Sequence, residues 1–161
     1  MAVPNRSCGT CRECCVALEI SEIKKPVGVY CDLLCAEGCS IYQTRPDECR
    51  KFDCLWLEGQ IPRWMKPNIT HVVPWRNGVK GPDGQTVPIL RMSFNHHFRH
   101  DKRVMRWIKK ASHKLMVVLS DRSGSSCMID GKIQATKGHD DDIKDMKLTV
   151  KSGRIVGVET A

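Results

Sequence analysis

Cys8-Gly9-Thr10-Cys11-Arg12-Glu13-Cys14-Cys15 sets four thiols within eight residues, three of them at two-residue spacing. A Cys-x-x-Cys turn brings two sulfurs to one centre and aims backbone amides at them, which stabilises metal-bound thiolate. Working outward, nine of the chain's ten cysteines lie between Cys8 and Cys54, and Cys127 stands alone beyond them. Such density has two usual causes, a disulfide framework in an exported chain or metal ligation in a reducing compartment. The first residues, Met1-Ala-Val-Pro-Asn-Arg-Ser-Cys8, lack the apolar stretch of a signal peptide. No apolar run approaches the ~20 residues of a membrane span. The expectation is a cytoplasmic, metal-binding chain without a membrane partner.

Three cysteines at two-residue spacing resemble the start of a bacterial ferredoxin cluster run. There the fourth ligand follows three residues later, before a proline. Here Cys15 is adjacent to Cys14, so any cluster must recruit a distant ligand. Cys31, Cys35, Cys39, Cys49 and Cys54 are the candidates. The 31/35/39 spacing is helical, although Gly38 interrupts a continuous helix. It is not the C-x3-C-x2-C of radical enzymes. Four thiolates satisfy either tetrahedral Zn2+ or a four-iron (4Fe-4S) cluster. Nine cysteines allow one site with spare thiols or two sites with one spare. Three closely spaced thiols plus a remote one favour the iron–sulfur cluster over zinc.

Cys8-x-x-Cys11-x-x-Cys14-Cys15, followed by Cys31, Gly38-Cys39-Ser40-Ile41-Tyr42 and Arg45-Pro46-x-x-Cys49-Arg50-x-Phe52, resembles the YkgJ family of cysteine-cluster proteins. That family is described as zinc- or iron-chelating, and a related cluster in flagellin lysine-N-methylases is held to bind iron–sulfur. The resemblance covers about residues 8–57, a third of the chain. It implies a ligand pool of Cys8, Cys11, Cys14, Cys15, Cys31, Cys39 and Cys49. Cys35 and Cys54 lie outside the pattern and are additional candidate ligands. Beside the cysteines, Arg45 and Arg50 are placed to donate to sulfur or offset thiolate charge. Tyr42, Phe52 and Trp56 either shield a site from water or supply an apolar core.

Charge divides the chain at the same place as the cysteines. Residues 1–60 carry a net −2 and residues 61–161 a net +10. The expected organisation is a cysteine-cluster module over 1–58 and a basic α+β region over 59–161. The fold expected is α+β, with the small metal-nucleated module followed by an antiparallel sheet and one amphipathic helix. In the module, Ser21 caps a short turn that Pro26 ends, and Thr44 caps a helix with Pro46 in its first turn. Cys49, Phe52 and Leu57 then share a face of that helix.

Farther on, Ile69–Trp75 and Val87–Phe94 read as strands, with turns at Asn77-Gly78 and Pro82-Asp83-Gly84. Asp101 caps a helix over Lys102–His113, whose apolar face is Val104, Trp107, Ile108, Ala111 and Leu115. Leu115–Ser120 is a short strand. Asp130-Gly131 and Ser152-Gly153 mark two hairpins, Cys127–Ile129 with Lys132–Thr136 and Lys147–Lys151 with Arg154–Glu159.

Residues 91–114 hold eight Lys and Arg against one acid, with Phe94, Phe98, Trp107 and four histidines interleaved. Arg99, Arg103, Arg106, Lys109 and Lys110 form the candidate surface for nucleic acid or an acidic protein partner, against the simpler reading of a solvated amphipathic helix. His96-His97-x-x-His100 reads as a strand-to-helix loop rather than a metal site, and a mixed Cys/His zinc site with His71 or His97 is the alternative. Asp140–Asp142 reads as a solvated loop, and Cys127 as a core residue. The sequence carries no G-x-S-x-G, P-loop or dinucleotide fingerprint. No catalytic residue is assigned, and the expected function is metal binding, without catalysis, at a cysteine-ligated iron–sulfur or zinc centre. The alternative is a zinc-stabilised adaptor that binds through its basic C-terminal part.

Overall fold

The computed structural model describes residues 5–95, 101–137 and 146–159. Mixed helix and sheet content with an antiparallel-rich sheet makes the fold α+β. The cysteine segment is built of very short elements: α1 (Cys14–Ala17), β1 (Leu34–Cys35), β2 (Gly38–Cys39) and α2 (Asp47–Lys51). After α3 (Pro67–Thr70) comes a five-stranded sheet. Its strands are β3 (Val72–Lys80), β4 (Thr86–Phe94), β5 (Val117–Asp121), β6 (Gly124–Ile129) and β7 (Lys132–Lys137), hydrogen-bonded in that order. Helix α4 (Lys102–Ala111) connects β4 to β5, and the hairpin β8 (Lys147–Lys151) with β9 (Arg154–Glu159) follows.

The expected sheet was antiparallel, and the observed one is antiparallel apart from one pair. β4 and β5 run parallel, because the chain between them makes a crossover through α4. The other pairs in this sheet are antiparallel. Asn77-Gly78 makes no turn. It lies inside β3, opposite Ile89 and Pro88 in a nine-residue ladder. The turn forms beyond, at Pro82–Gly84, where Gly84 takes φ +77°. Local turn propensity yields there to pairing along the whole strand. Strand β3 also starts later than Ile69, because Pro67–Thr70 winds into α3 and His71 ends it in a left-handed conformation.

Both hairpin signals form as read. Asp130 and Gly131 (φ 48° and 76°) and Ser152 and Gly153 (φ 50° and 71°) have the paired positive φ of type I′ turns. Helix α4 begins where Asp101 accepts from the amides of Arg103 and Val104, at 2.8 and 3.0 Å. Its apolar stripe packs inward through fully buried Val104 and Ile108, each burial stabilising by about 1.5–3 kcal/mol.

Alternation along the strands gives the sheet two cores. On one face Leu90, Met92, Phe94, Val117 and Leu119 pack with Val104 and Ile108 of α4 and with Leu55, Trp56 and Ile61. On the other, Ile89, Val118, Cys127 and Ile129 pack with Leu148, Ile155 and Val158 of the β8–β9 hairpin. Buried Cys127 contacts Met146 there, S to S at 3.8 Å, as expected of a core thiol.

The hairpin is pinned by Arg154. It donates to Asp130 Oδ1 at 2.5 Å, and His113 lies 3.6 Å from the same oxygen. The Arg154 hydrogen bond, reinforced by the charges of Arg154 and His113, holds the Asp130 carboxyl below its usual range. A depressed carboxylate contributes stability that is fully present above its unfolded value, about 3.9, and is lost as pH falls through its folded value. The gap in melting temperature between the native chain and Asp130→Asn is therefore expected to shrink below about pH 4. A gap unchanged down to pH 2 counts against the pin.

Candidate metal centre

Several attachments seat the cysteine segment on the sheet. Ala17, Leu18 and Ile20 pack on Val73. Gly28, at φ +67°, brings its Cα so close to Arg122 that a Cβ would meet the Arg122 backbone nitrogen at 2.9 Å. Glu13 makes another. Its Oε1 is 3.0 Å from His71 Nδ1, and its Oε2 accepts from Asn95 Nδ2 at 2.9 Å. His71 and Asn95 flank the terminal β3–β4 pair, Val72 and Phe94. Glu13 therefore fixes the Cys-x-x-Cys-x-x-Cys-Cys turn at the open end of that hairpin. The sequence names His71 as a candidate ligand, but its Nδ1 faces a carboxylate rather than sulfur.

None of the ten cysteines forms a disulfide. The nine N-terminal ones are placed as follows. Cys11 N–H donates to Cys8 O at 2.9 Å and closes the first turn. The Cys11 sulfur receives the backbone amides of Glu13 and Asn68. The Cys54 sulfur receives those of Leu57 and Trp56. Burial raises both thiols, and these amides oppose it. Cys31 N–H donates to Cys15 O at 3.0 Å.

The helical spacing of Cys31, Cys35 and Cys39 is not used. Leu34–Cys35 and Gly38–Cys39 form a minimal hairpin that pairs Cys39 with Leu34 and leaves Cys35 exposed at its tip. Thr44 caps no helix. Glu22, 25 residues away, accepts from the amides of Asp47 and Glu48 at 3.2 and 2.7 Å and serves as the cap of α2. Helix α2 ends at Lys51, so Leu57 shares no helical face with Cys49.

Two of these thiols are strongly perturbed. Cys14 donates its S–H to Cys15, and that bond, followed by burial, pushes the Cys14 pKa far up. The same bond, helped by the nearby charges of Lys25 and Arg12, brings Cys15 down to about 7. Cys49 is raised by burial and then by Cys15, Cys31 and Cys39 beside it. Buried thiols near one another resist ionisation unless a cation offsets the charge, and a bound metal supplies that cation.

One cation is already present. Lys25 is 5% exposed, and its Nζ donates to the carbonyls of Val16 and Pro26, both at 3.0 Å, and of Leu18. Cys31, Cys15, Cys14 and Cys49 surround it. Nothing in the spacing of the sequence marks Lys25, because its role depends on a chain reversal, the Ile20–Lys25 bridge.

Arg45 and Arg50 brace their own loop. Arg45 donates to Tyr42 O at 2.9 Å and lies 4.0 Å over the Tyr42 ring, while Arg50 donates to Arg45 O at 3.0 Å. Tyr42 is exposed, so it shields nothing. Phe52 meets Trp75 edge-on at 6.3 Å, and Trp56 belongs to the sheet core.

Among the described residues, no three or more His, Cys, Asp or Glu side chains already stand in an arrangement that holds a metal ion. The cysteines share neighbourhoods rather than a closed coordination shell.

Arg103, Arg106, Lys109 and Lys110 are exposed on α4, and Arg103 lies 3.9 Å over the Trp64 ring. Lys102, Met105, Arg106, Lys109 and Met128 line a shallow groove beside them. His96, His97, Arg99, His100 and Asp140–Asp142 lie outside the described residues. No helix among the described residues is long and apolar enough to cross a membrane. Comparison with protein-family models, with curated proteins and with solved structures finds no match. The resemblance to the YkgJ cysteine-cluster family therefore rests on the motif residues alone.

Proposed function

We propose that this chain is a metal-binding protein, without catalysis of its own, whose residues 8–54 hold cysteine-ligated metal as iron–sulfur or zinc. One observation carries the reading. Unpaired cysteines from four separate stretches of chain converge on one region, and two of their sulfurs, those of Cys11 and Cys54, each receive a pair of backbone amides. A neutral thiol is a weak acceptor and gains little from two donors, whereas a metal-bound thiolate gains much. Backbone amides at sulfur are also a means by which proteins tune iron–sulfur potentials.

Elemental analysis and an absorption spectrum of the purified chain test this. A brown protein with a broad band near ~400 nm is expected for iron–sulfur, and a colourless one with stoichiometric zinc for the other form. Protein that carries neither metal after reducing, anaerobic purification overturns the reading. The exposed cations of α4 favour a second reading, in which the metal stabilises an adaptor that docks an acidic partner on that face.

A further inference from the structure

We propose that the groove between α4 and the β6–β7 hairpin docks an acidic protein segment that carries an apolar anchor. The inference rests on the second reading above, an acidic partner on the α4 face, and adds to it the site and the chemistry of the partner. It does not depend on the metal.

Helix α4 presents two different faces. Val104 and Ile108 pack into the core. Lys102, Met105, Arg106 and Lys109 follow one another at i, i+3, i+4 and i+7, the spacing of a single stripe along a helix. Three of the four are exposed cations. The fourth, Met105, is apolar and only half-buried, at the rim of the core rather than inside it.

The hairpin supplies the opposite wall. Met128 lines the groove with the α4 residues. Ile133 is its direct partner across the β6–β7 pair, and directly opposed residues of an antiparallel pair stand on one face of the sheet. Ile133 is 56% exposed. Apolar surface therefore continues from Met105 through Met128 to Ile133, and cations flank it. Two of those cations are held in place. Arg106 Nε donates to Lys102 O at 3.2 Å. The Lys109 stem lies so close on the Asp130-Gly131 turn that a Cβ on Gly131 would meet its Cε at 2.8 Å.

Charge complementarity selects the occupant. Among the described residues no carboxylate pairs with Lys102, Arg106 or Lys109, so the flanking charge is available to an anionic partner. Nucleic-acid grooves join such cations to aromatic faces on which bases stack, whereas this floor is thioether and aliphatic. Methionine suits a surface that accepts apolar side chains of varied shape. A second copy of the chain would bring like charge to like, because residues 61–161 carry a net +10. An acidic protein segment with a leucine, isoleucine or phenylalanine among its carboxylates satisfies both the floor and its flanks.

The test uses the full chain and a fluorescein-labelled amphipathic peptide with leucines three and four positions apart and glutamates elsewhere. Anisotropy should show saturable binding that weakens as ionic strength rises. A control peptide with serine at each leucine should bind at least tenfold more weakly, and Ile133→Ser should weaken the leucine peptide by roughly tenfold. Lys102→Glu combined with Arg106→Glu should lose the binding. The methyl signals of Met105 and Met128 in the native chain should shift on addition of the leucine peptide, which locates the site without any substitution. Equal affinity for the two peptides, unmoved methionine methyls or an Ile133→Ser chain that binds like the native one overturns the groove and leaves an acidic partner on α4 standing. Displacement of the peptide by single-stranded oligothymidylate more readily than by unlabelled peptide makes nucleic acid the occupant and overturns the proposal. So does a concentration-dependent dimer that Ile133→Ser abolishes, which makes the occupant a second copy. Binding of neither peptide at low salt overturns both the groove and the acidic-partner reading.

Discussion

On the metal-binding reading proposed above, chelation of the purified chain is expected to unfold residues 8–52 while leaving the sheet folded. No element in that segment exceeds five residues. Isolated helices of that length are unstable in water, and so is a lone two-residue hairpin. The buried apolar side chains of the segment are Val16, Ala17, Leu18, Ile20 and Val27, a small core for a segment of this length. Structural thiolate zinc sites contribute folding free energy directly, an apparent ~10–16 kcal/mol at neutral pH. Hydrogen exchange is the measurement. The amides of Ile20, Lys25 and Cys31, bonded to Lys25 O, Ile20 O and Cys15 O, should lose protection on chelation. Those in the middle of β4 and β5 should keep it. Unchanged protection at Ile20, Lys25 and Cys31 would show that the segment is held by packing alone.

What the sequence disclosed and what it hid follow from the range of the interactions. Helix α4, its Asp101 cap and both type I′ hairpins are specified by residues within a few positions of one another, and they were legible. The cysteine turn was legible for the same reason. The helix cap at α2 was not, because Thr44 and Pro46 are sound local candidates that a carboxylate 25 residues away displaces. The Asn77-Gly78 turn failed likewise, since a nine-residue ladder outweighs two residues of turn propensity. At the candidate site the cysteines were visible, but the contacts that seat their segment were not. Those contacts, Arg6 to Trp56 and Glu13 to His71 and Asn95, span 50 to 82 residues.

Lys25→Met should lower the melting temperature of the metal-loaded chain by about 10 °C, the largest stability loss we expect outside the cysteines. Methionine keeps most of the side-chain volume, so little packing is lost. What disappears is the ammonium. Its three donors go to Val16 O, Leu18 O and Pro26 O in a nearly buried position, and each carbonyl left without a partner costs about 1–3 kcal/mol. Val16 O and Leu18 O lie at the C-terminal end of α1, where a cation also satisfies carbonyls that the helix leaves open. A net loss of about 3–5 kcal/mol results, and each kcal/mol shifts the melting temperature of a chain this size by roughly 2–4 °C. Burial pulls the Lys25 pKa below its usual value, and the charges of Cys31, Cys15, Cys14 and Cys49 offset only part of that. On the metal-binding reading proposed above the ammonium offsets thiolate charge, and the variant should also release metal to a chelator more readily. Lys25→Arg should not rescue either property, because a planar fork cannot replace a compact three-donor head in that pocket. A melting temperature within ~2 °C of the native chain, with unaltered metal release, would reduce Lys25 to a space-filling residue.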